Sequence, residues 1–406
     1  MKLHQKLFWL LVFSLPFQLG RHFWPKFSLV LGLRIDYLSP TFYLTDLLFL
    51  LVLVFWLWVQ RKKIKDFNLS WLKQNWWLGA FFLFLCLNVF LAQNQGAALY
   101  KLIKITEFSL LAFYVAKNRI SLTFFAFPLA LGVMASSLIA WFQFFHQGSL
   151  NGLFWWLGER TFDMTTPGIA KAIFNGQLIL RPYATFSHPN ALAGFLLVGL
   201  ILTANLFLKK ERWLSLVYYF LAIGALLFSF SRSVWSVGLL AAGWFLFRKK
   251  GRQRFWLLLL LALLVLIFYS FPYFSTNEAF SQRTQLMKSA WLMIQSFPLS
   301  GVGLNNFIVR LPDYWSLTGF TYWLQPVHNL FLLVTSETGF PGLLIFLWFL
   351  VSTYRRAFRV KDKDRLLLLA LSAIVLLGLT DHYWLTLQQN QLLLACLTGL
   401  IWSSQN

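Results

Sequence analysis

The sequence predicts an all-α polytopic membrane protein with about twelve transmembrane helices, forming one membrane-embedded domain over residues 1–406. Three observations carry this reading. Hydrophobic residues make up 59% of the chain and charged residues 12%, about half the charged share of an aqueous domain. Its apolar runs approach the roughly 20 residues that cross a bilayer core. Lysine and arginine collect in alternate short connections between those runs. A lipid-exposed backbone has no outside hydrogen-bond partner, so the runs must be helices. They also lack the alternation of barrel strands.

The first run, 7–20, lies in "MKLHQKLFWLLVFSLPF", which resembles a signal peptide without a small-x-small cleavage site. It is expected to be an uncleaved first span. The second, 41–59, has Asp36 and Asp46 at its start, where helix capping is the simplest role and metal or base chemistry the alternative. Runs at 76–92 and 97–116 follow, the latter carrying Lys101, Lys104 and Glu107. Lys104 and Glu107 stand at i, i+3 and can neutralise one another. After 123–145 comes a long external loop, 146–189, then runs at 190–208, 213–230, 233–247 and 255–271. A second external loop, 272–327, contains "SQRTQLMKSAWLMIQSF", with Leu286, Ala290, Ile294 and Phe297 at helical spacing and Arg283 and Lys288 on a more polar face. That pattern predicts an interfacial helix. The last runs are 328–350, 366–379 and 387–402.

Of the 35 Lys and Arg residues, 23 fall on one side of this topology, which includes both termini. The positive-inside rule makes that side cytoplasmic. The net charge of +22 is thereby a topology signal, and no nucleic-acid partner is implied. Cys86 and Cys396 both lie in apolar runs, so neither a disulfide framework nor a cysteine metal site is expected. "DKD" at 362–364 falls in a basic cytoplasmic loop and is a solvated charge run.

The external side holds few ionisable groups, which makes each one informative. "LRPYATFSHPNALAGFL" supplies Arg181, His188 and Asn190, with Asn190 placed as a cap or support residue. "FSFSRSVWS" pins Arg232 in a tight turn between two runs, where a guanidinium needs a partner such as an anion. Arg283 rides the interfacial helix. "GVGLNNF" contains Gly303, whose backbone N–H can approach an anion. "PVHNLFLLVTSETGFPG" puts His328 and Asn329 at the mouth of a run and Glu337 nine positions further, about half a turn out of phase. His328 can take a proton from a hydroxyl, whereas Glu337 is expected to pair with another helix. No His/Cys zinc spacing, Walker loop or Ser-His-Asp pattern is present.

Arginines bind phosphate oxygens bidentately, and the 20 Trp and 45 Phe can line lipid and sugar surfaces. The inventory therefore suits a substrate with a phosphate head, a lipid tail and sugars. In order and spacing, "RPYATFSHPNALAGFL", "SRSVW", "QRTQLMKSAW…PLSGVGLNNF" and "HNLFLLVTSETGFPG" resemble the O-antigen ligase and O-antigen polymerase family across about residues 155–350. The resemblance implies a GT-C-like fold in the bacterial cytoplasmic (inner) membrane with its active site on the periplasmic side. It implies inverting glycan transfer from an undecaprenyl-pyrophosphate-linked donor to a hydroxyl of a saccharide or lipid-linked saccharide acceptor, with no metal or other cofactor. Carried over, His328 is the catalytic residue, Arg232 and Arg283 hold the pyrophosphate, and Arg181 joins them. Asn190, Asn329, Glu337 and Gly303 support them. A flippase or transporter for lipid-linked saccharides is the alternative from another class, drawing on Lys101, Lys104 and Glu107 as polar groups within the membrane.

Overall fold

The computed structural model describes residues 1–64, 76–174, 176–207, 212–248, 277–315, 324–359 and 365–403. The helices are α1 (Leu3–Ser14), α2 (Leu44–Ile64), α3 (Trp76–Leu91), α4 (Gln95–Lys117), α5 (Leu122–His146), α6 (Pro189–Phe207), α7 (Arg212–Phe228) and α8 (Arg232–Arg248). They continue with α9 (Asn277–Ser296), α10 (Phe307–Tyr314), α11 (Leu330–Arg359), α12 (Arg365–Gly378), α13 (Tyr383–Thr386) and α14 (Gln388–Ser403). Eleven of the twelve expected spans therefore meet a helix in the described residues; the twelfth, 255–271, lies outside them, as does the "DKD" run. Among the described residues, four helices are long and apolar enough to cross a membrane, in α2, α5, α6 and α11, and α3, α7 and α12 carry shorter apolar stretches.

The connections are less helical than the sequence suggests. Between α1 and α2 the chain forms two small antiparallel ladders, β1 (Gly20–His22) with β4 (Thr41–Tyr43) and β2 (Leu29–Val30) with β3 (Leu33–Arg34). The loop after α5 carries a 3-10 turn at Gly152–Leu157 and a hairpin, β5 (Lys171–Phe174) with β6 (Gln177–Leu180). Glu159 anchors this loop. Its carboxylate accepts from Gln143 Nε2 (2.7 Å) and from the backbone N–H groups of Leu150 (2.8 Å) and Asn151 (2.7 Å).

The apolar stretch 189–206 of α6 is 83% buried, the most enclosed of the long candidate spans, and α6 is bordered by α5, α7, α8, α12 and α14. Lys104 of α4 is buried between Asp46 of α2 (2.6 Å) and Glu107 one turn along its own helix (2.9 Å). Asp46 also accepts the N–H of Tyr43 (3.0 Å), so the expected capping role at the start of α2 is present. Helix α9 forms where helical spacing was read. Its apolar face, however, turns to protein: Leu286, Ala290 and Met293 form a small core with Phe307, Leu311, Ile35 and Leu38. Met287, Trp291 and Leu292 form its exposed apolar edge.

Helix α11 breaks at Gly339, whose φ of 66° lies in the left-handed region that favours glycine. A Cβ there would stand 2.5 Å from Leu299 O, and the next N–H, that of Phe340, donates to Pro298 O (2.8 Å). The break thus locks the 298–303 segment onto α11, and with it the path of the chain leading into α10.

Candidate catalytic site around Arg181, His328 and Asp381

Four chain segments converge at one end of the bundle: the start of α6, the start of α11, the α12–α13 turn and the loop after β6. His328, two residues before α11, lies with Nδ1 3.3 Å from Asp381 Oδ1. This is an ion-pair separation rather than a well-aligned hydrogen bond, since His328 Nδ1 is buried without a hydrogen-bond partner of good geometry. Asp381 is locked in place by its neighbours. Its Oδ1 accepts the N–H of His382 (2.9 Å), and its Oδ2 accepts from Asn190 Nδ2 (3.1 Å). Asn190 Oδ1 in turn accepts from Arg181 Nη2 (2.6 Å), while Arg181 Nε donates to Ser229 O (2.6 Å). A continuous polar chain therefore runs from the turn that carries Arg232, through Arg181, Asn190 and Asp381, to His328.

Asn190 is the link in this chain and does not cap α6. That role falls to His188, whose Nδ1 accepts the Asn190 N–H (3.1 Å) and whose backbone oxygen accepts from Ala191 and Leu192. Pro189 pre-sets the first helical turn behind it.

The electrostatics follow from burial and proximity. Burial alone would raise the Asp381 carboxyl, but the imidazoles of His328, His382 and His188 hold it well below the usual carboxylate range. It is an anion at neutral pH. Burial pushes His188 and His382 down to about 3, with Arg181 adding to the effect on His188, so both rings are neutral. Burial, with a contribution from the Arg283 guanidinium, lowers Arg181 to about 10. Arg283, exposed on α9, acts on both Arg181 and His382 and so stands at the same end of the site. Arg232 opens α8 beyond the Ser229–Ser231 turn and is part-buried. Arg181 and Arg283, two cations close enough to act on one another, favour an anion between them.

Three ligand-type atoms meet here: one each from His328, Asp381 and His382 lie within 4.8 Å of one another. His382 Nδ1 is held by Thr386 Oγ1 (2.8 Å), leaving its Nε2 toward Asp381. The set can ligate a transition-metal ion, with Thr386 orienting one imidazole from behind. No sequence spacing announces it, because His328 and Asp381 are far apart in the chain.

The other residues singled out in the sequence sit elsewhere. Asn329 caps α11: its Oδ1 accepts the Leu332 N–H (2.9 Å) and its Nδ2 donates to Leu379 O (3.0 Å). Glu337 is buried about two turns into α11, and the backbone N–H groups of Asn305 and Phe307 face its carboxylate. Gly303, at φ 103°, donates its N–H to Glu337 O (3.0 Å), and a Cβ there would press within 2.4 Å of Ala92 Cβ. In this arrangement "GVGLNNF" is a packing joint against α3 and α11.

Asp381 and His382 were missed in the sequence. They stand in "LTDHYW", a short connection between two apolar runs on the predicted external side. The logic that selected Arg232, a charge held in a tight turn at a membrane edge, applies to them equally.

No curated protein matches the chain. One family model, described as O-antigen ligase, matches residues 217–347, which include Arg232, Arg283 and His328 and exclude Arg181, Asn190 and Asp381. Segment 217–347 is thus similar to the O-antigen ligase family, the family that the sequence motifs resemble.

Proposed function

We propose that the chain transfers a glycan from an undecaprenyl-pyrophosphate-linked donor to a hydroxyl of a saccharide or lipid-linked saccharide acceptor, on the periplasmic face of the bacterial cytoplasmic membrane. The observation that carries this is the His328–Asp381 pair standing at the end of a chain of contacts that begins with Arg181. Asp381 faces Nδ1 and fixes that nitrogen as the protonated one, so Nε2 presents its lone pair to the acceptor. The acceptor oxygen gives its proton to Nε2 and bonds the anomeric carbon. The bond from that carbon to the pyrophosphate breaks, with inversion, and the leaving group departs with the electron pair. Arg181, Arg232 and Arg283 balance the charge that grows on the pyrophosphate, a role arginines perform without a metal. Asp381 stabilises the imidazolium formed on His328.

The flippase alternative drew on charges within the membrane. Lys104 is already paired on both sides, with Asp46 and Glu107, and that polar group is accounted for as a packing element. The test is reconstitution of the chain in liposomes with a labelled lipid-linked donor and a saccharide acceptor. Transfer predicts a new glycosidic product. Donor crossing the bilayer with no product refutes the reading and favours transport.

A further inference from the structure

A polar cavity of about 520 Å³ opens beside the catalytic cluster. Thr386, which holds His382, lines it, as does Tyr37, whose ring meets the His382 ring edge-on at 5.6 Å. His382 in turn lies 5.1 Å from the His328 ring, centroid to centroid. The cavity therefore adjoins the catalytic end through Tyr37 and Thr386. Its wall alternates aromatic faces, Trp155, Tyr43 and Tyr100, with amides, Asn305, Gln388 and Gln391. Rings that take sugar C–H faces and amides that take hydroxyls are what a saccharide requires.

Two cations of that wall lack a carboxylate partner among the described residues. The Glu159 carboxylate is held by three neutral donors, and Lys104 is paired with two carboxylates. Lys101 Nζ donates to the backbone oxygen of Leu385, and no carboxylate among the described residues lies within 4.0 Å of it, although Glu337 acts on it from further away. Arg160, an exposed lining residue, donates to Ser187 O (3.4 Å), a backbone group, and no carboxylate among the described residues lies within 4.0 Å of it. Asp36 also lines the cavity, and it lies more than 4.0 Å from both cations.

We infer that this cavity is the acceptor subsite and that it takes a saccharide carrying an anionic group, a carboxylate or a phosphate, which Lys101 and Arg160 bind. The assignment to acceptor rests on the transferase reading above; the preference for an anionic saccharide does not. A charged hydrogen bond to each cation adds selectivity that a neutral sugar forgoes.

The test is isothermal titration of the detergent-purified full chain, with no donor present. Three probes are used: a tetrasaccharide of alternating glucuronic acid and N-acetylglucosamine, its carboxyl-reduced neutral form, and a phosphomonoester of the neutral form. The acidic or the phosphorylated probe should bind at least tenfold more tightly than the neutral one, and whichever binds better identifies the anion. Lys101→Met and Arg160→Gln should each shrink that preference to threefold or less. Arg160 is exposed, so its variant retains the fold and keeps the test decisive should Lys101→Met destabilise the chain. Equal binding of charged and neutral probes, binding by none, or a preference that survives both substitutions overturns the inference. If titration succeeds while no glycosidic product forms in liposomes, the transferase reading fails and the anionic-saccharide site stands.

Discussion

Asp381→Asn probes the electrostatic part of the proposed chemistry, because it preserves shape while it removes the charge and turns one acceptor oxygen into a donor. The two partners are well buried, with side-chain exposures of 14% for His328 and 6% for Asp381, and they stand 3.3 Å apart. At an effective dielectric constant of about 20, unit charges at that separation attract by about 5 kcal/mol. If roughly half a proton has moved to His328 at the transition state, about 2–3 kcal/mol of stabilisation is lost, a 30- to 160-fold fall in kcat. The amide also offers an N–H toward His328 Nδ1, which would place the ring proton on Nε2 and disable the base, so the fall can exceed that range. The assay is single-product transfer in liposomes, with melting temperature measured alongside. The KM for the donor should stay within about threefold, since the arginines are untouched. A folded Asp381→Asn variant that keeps more than a third of wild-type kcat refutes the pairing argument.

Three further outcomes follow from the same geometry. The unfolded chain protonates histidines near pH 6.5, while His188 and His382 resist protonation in the fold until about 3; stability is therefore full above 6.5 and falls as pH drops toward 3. Depression of Asp381 acts in the same direction, and the melting temperature should decline below pH 6.5 with a shallower slope in His188→Gln. Gly339→Ala forces a side chain into φ 66° and within 2.5 Å of Leu299 O, and should destabilise the fold by at least about 2 kcal/mol in chemical denaturation. Chelators should leave transfer unchanged, whereas micromolar zinc should inhibit it by capturing His328, Asp381 and His382; zinc-insensitive transfer contradicts that ligand geometry.

The helices were legible because hydropathy acts locally, and eleven of the expected runs meet helices whose ends agree within about six residues, the C-terminal end of the kinked α11 aside, which runs on to Arg359. Phase within a helix was equally readable: Glu337 could be separated from His328 by counting residues. The site was legible only as separate pieces. Arg181, Asn190 and His328 could each be selected as external polar groups, but what joins them is Asp381, 53 residues after His328, and only the packing of α6, α11 and the α12–α13 turn brings it there. The strands of the first connection were missed for a different reason. "LGRHFWPKFSLVLGLRIDYL" is short, aromatic and broken by Gly and Pro, so neither a helical nor an alternating period can be established in it. For α9 the period was right, but its partner was not, because an apolar face at helical spacing reads the same whether it meets lipid or a second core.

The proposed chemistry turns on His328 taking the acceptor proton. The most direct measurement is product formation by His328→Ala in proteoliposomes with defined donor and acceptor, beside wild type matched for insertion and melting temperature. The predicted result is loss of transfer by at least about a hundredfold with donor binding retained. Transfer by the folded variant at a rate near wild type would contradict it.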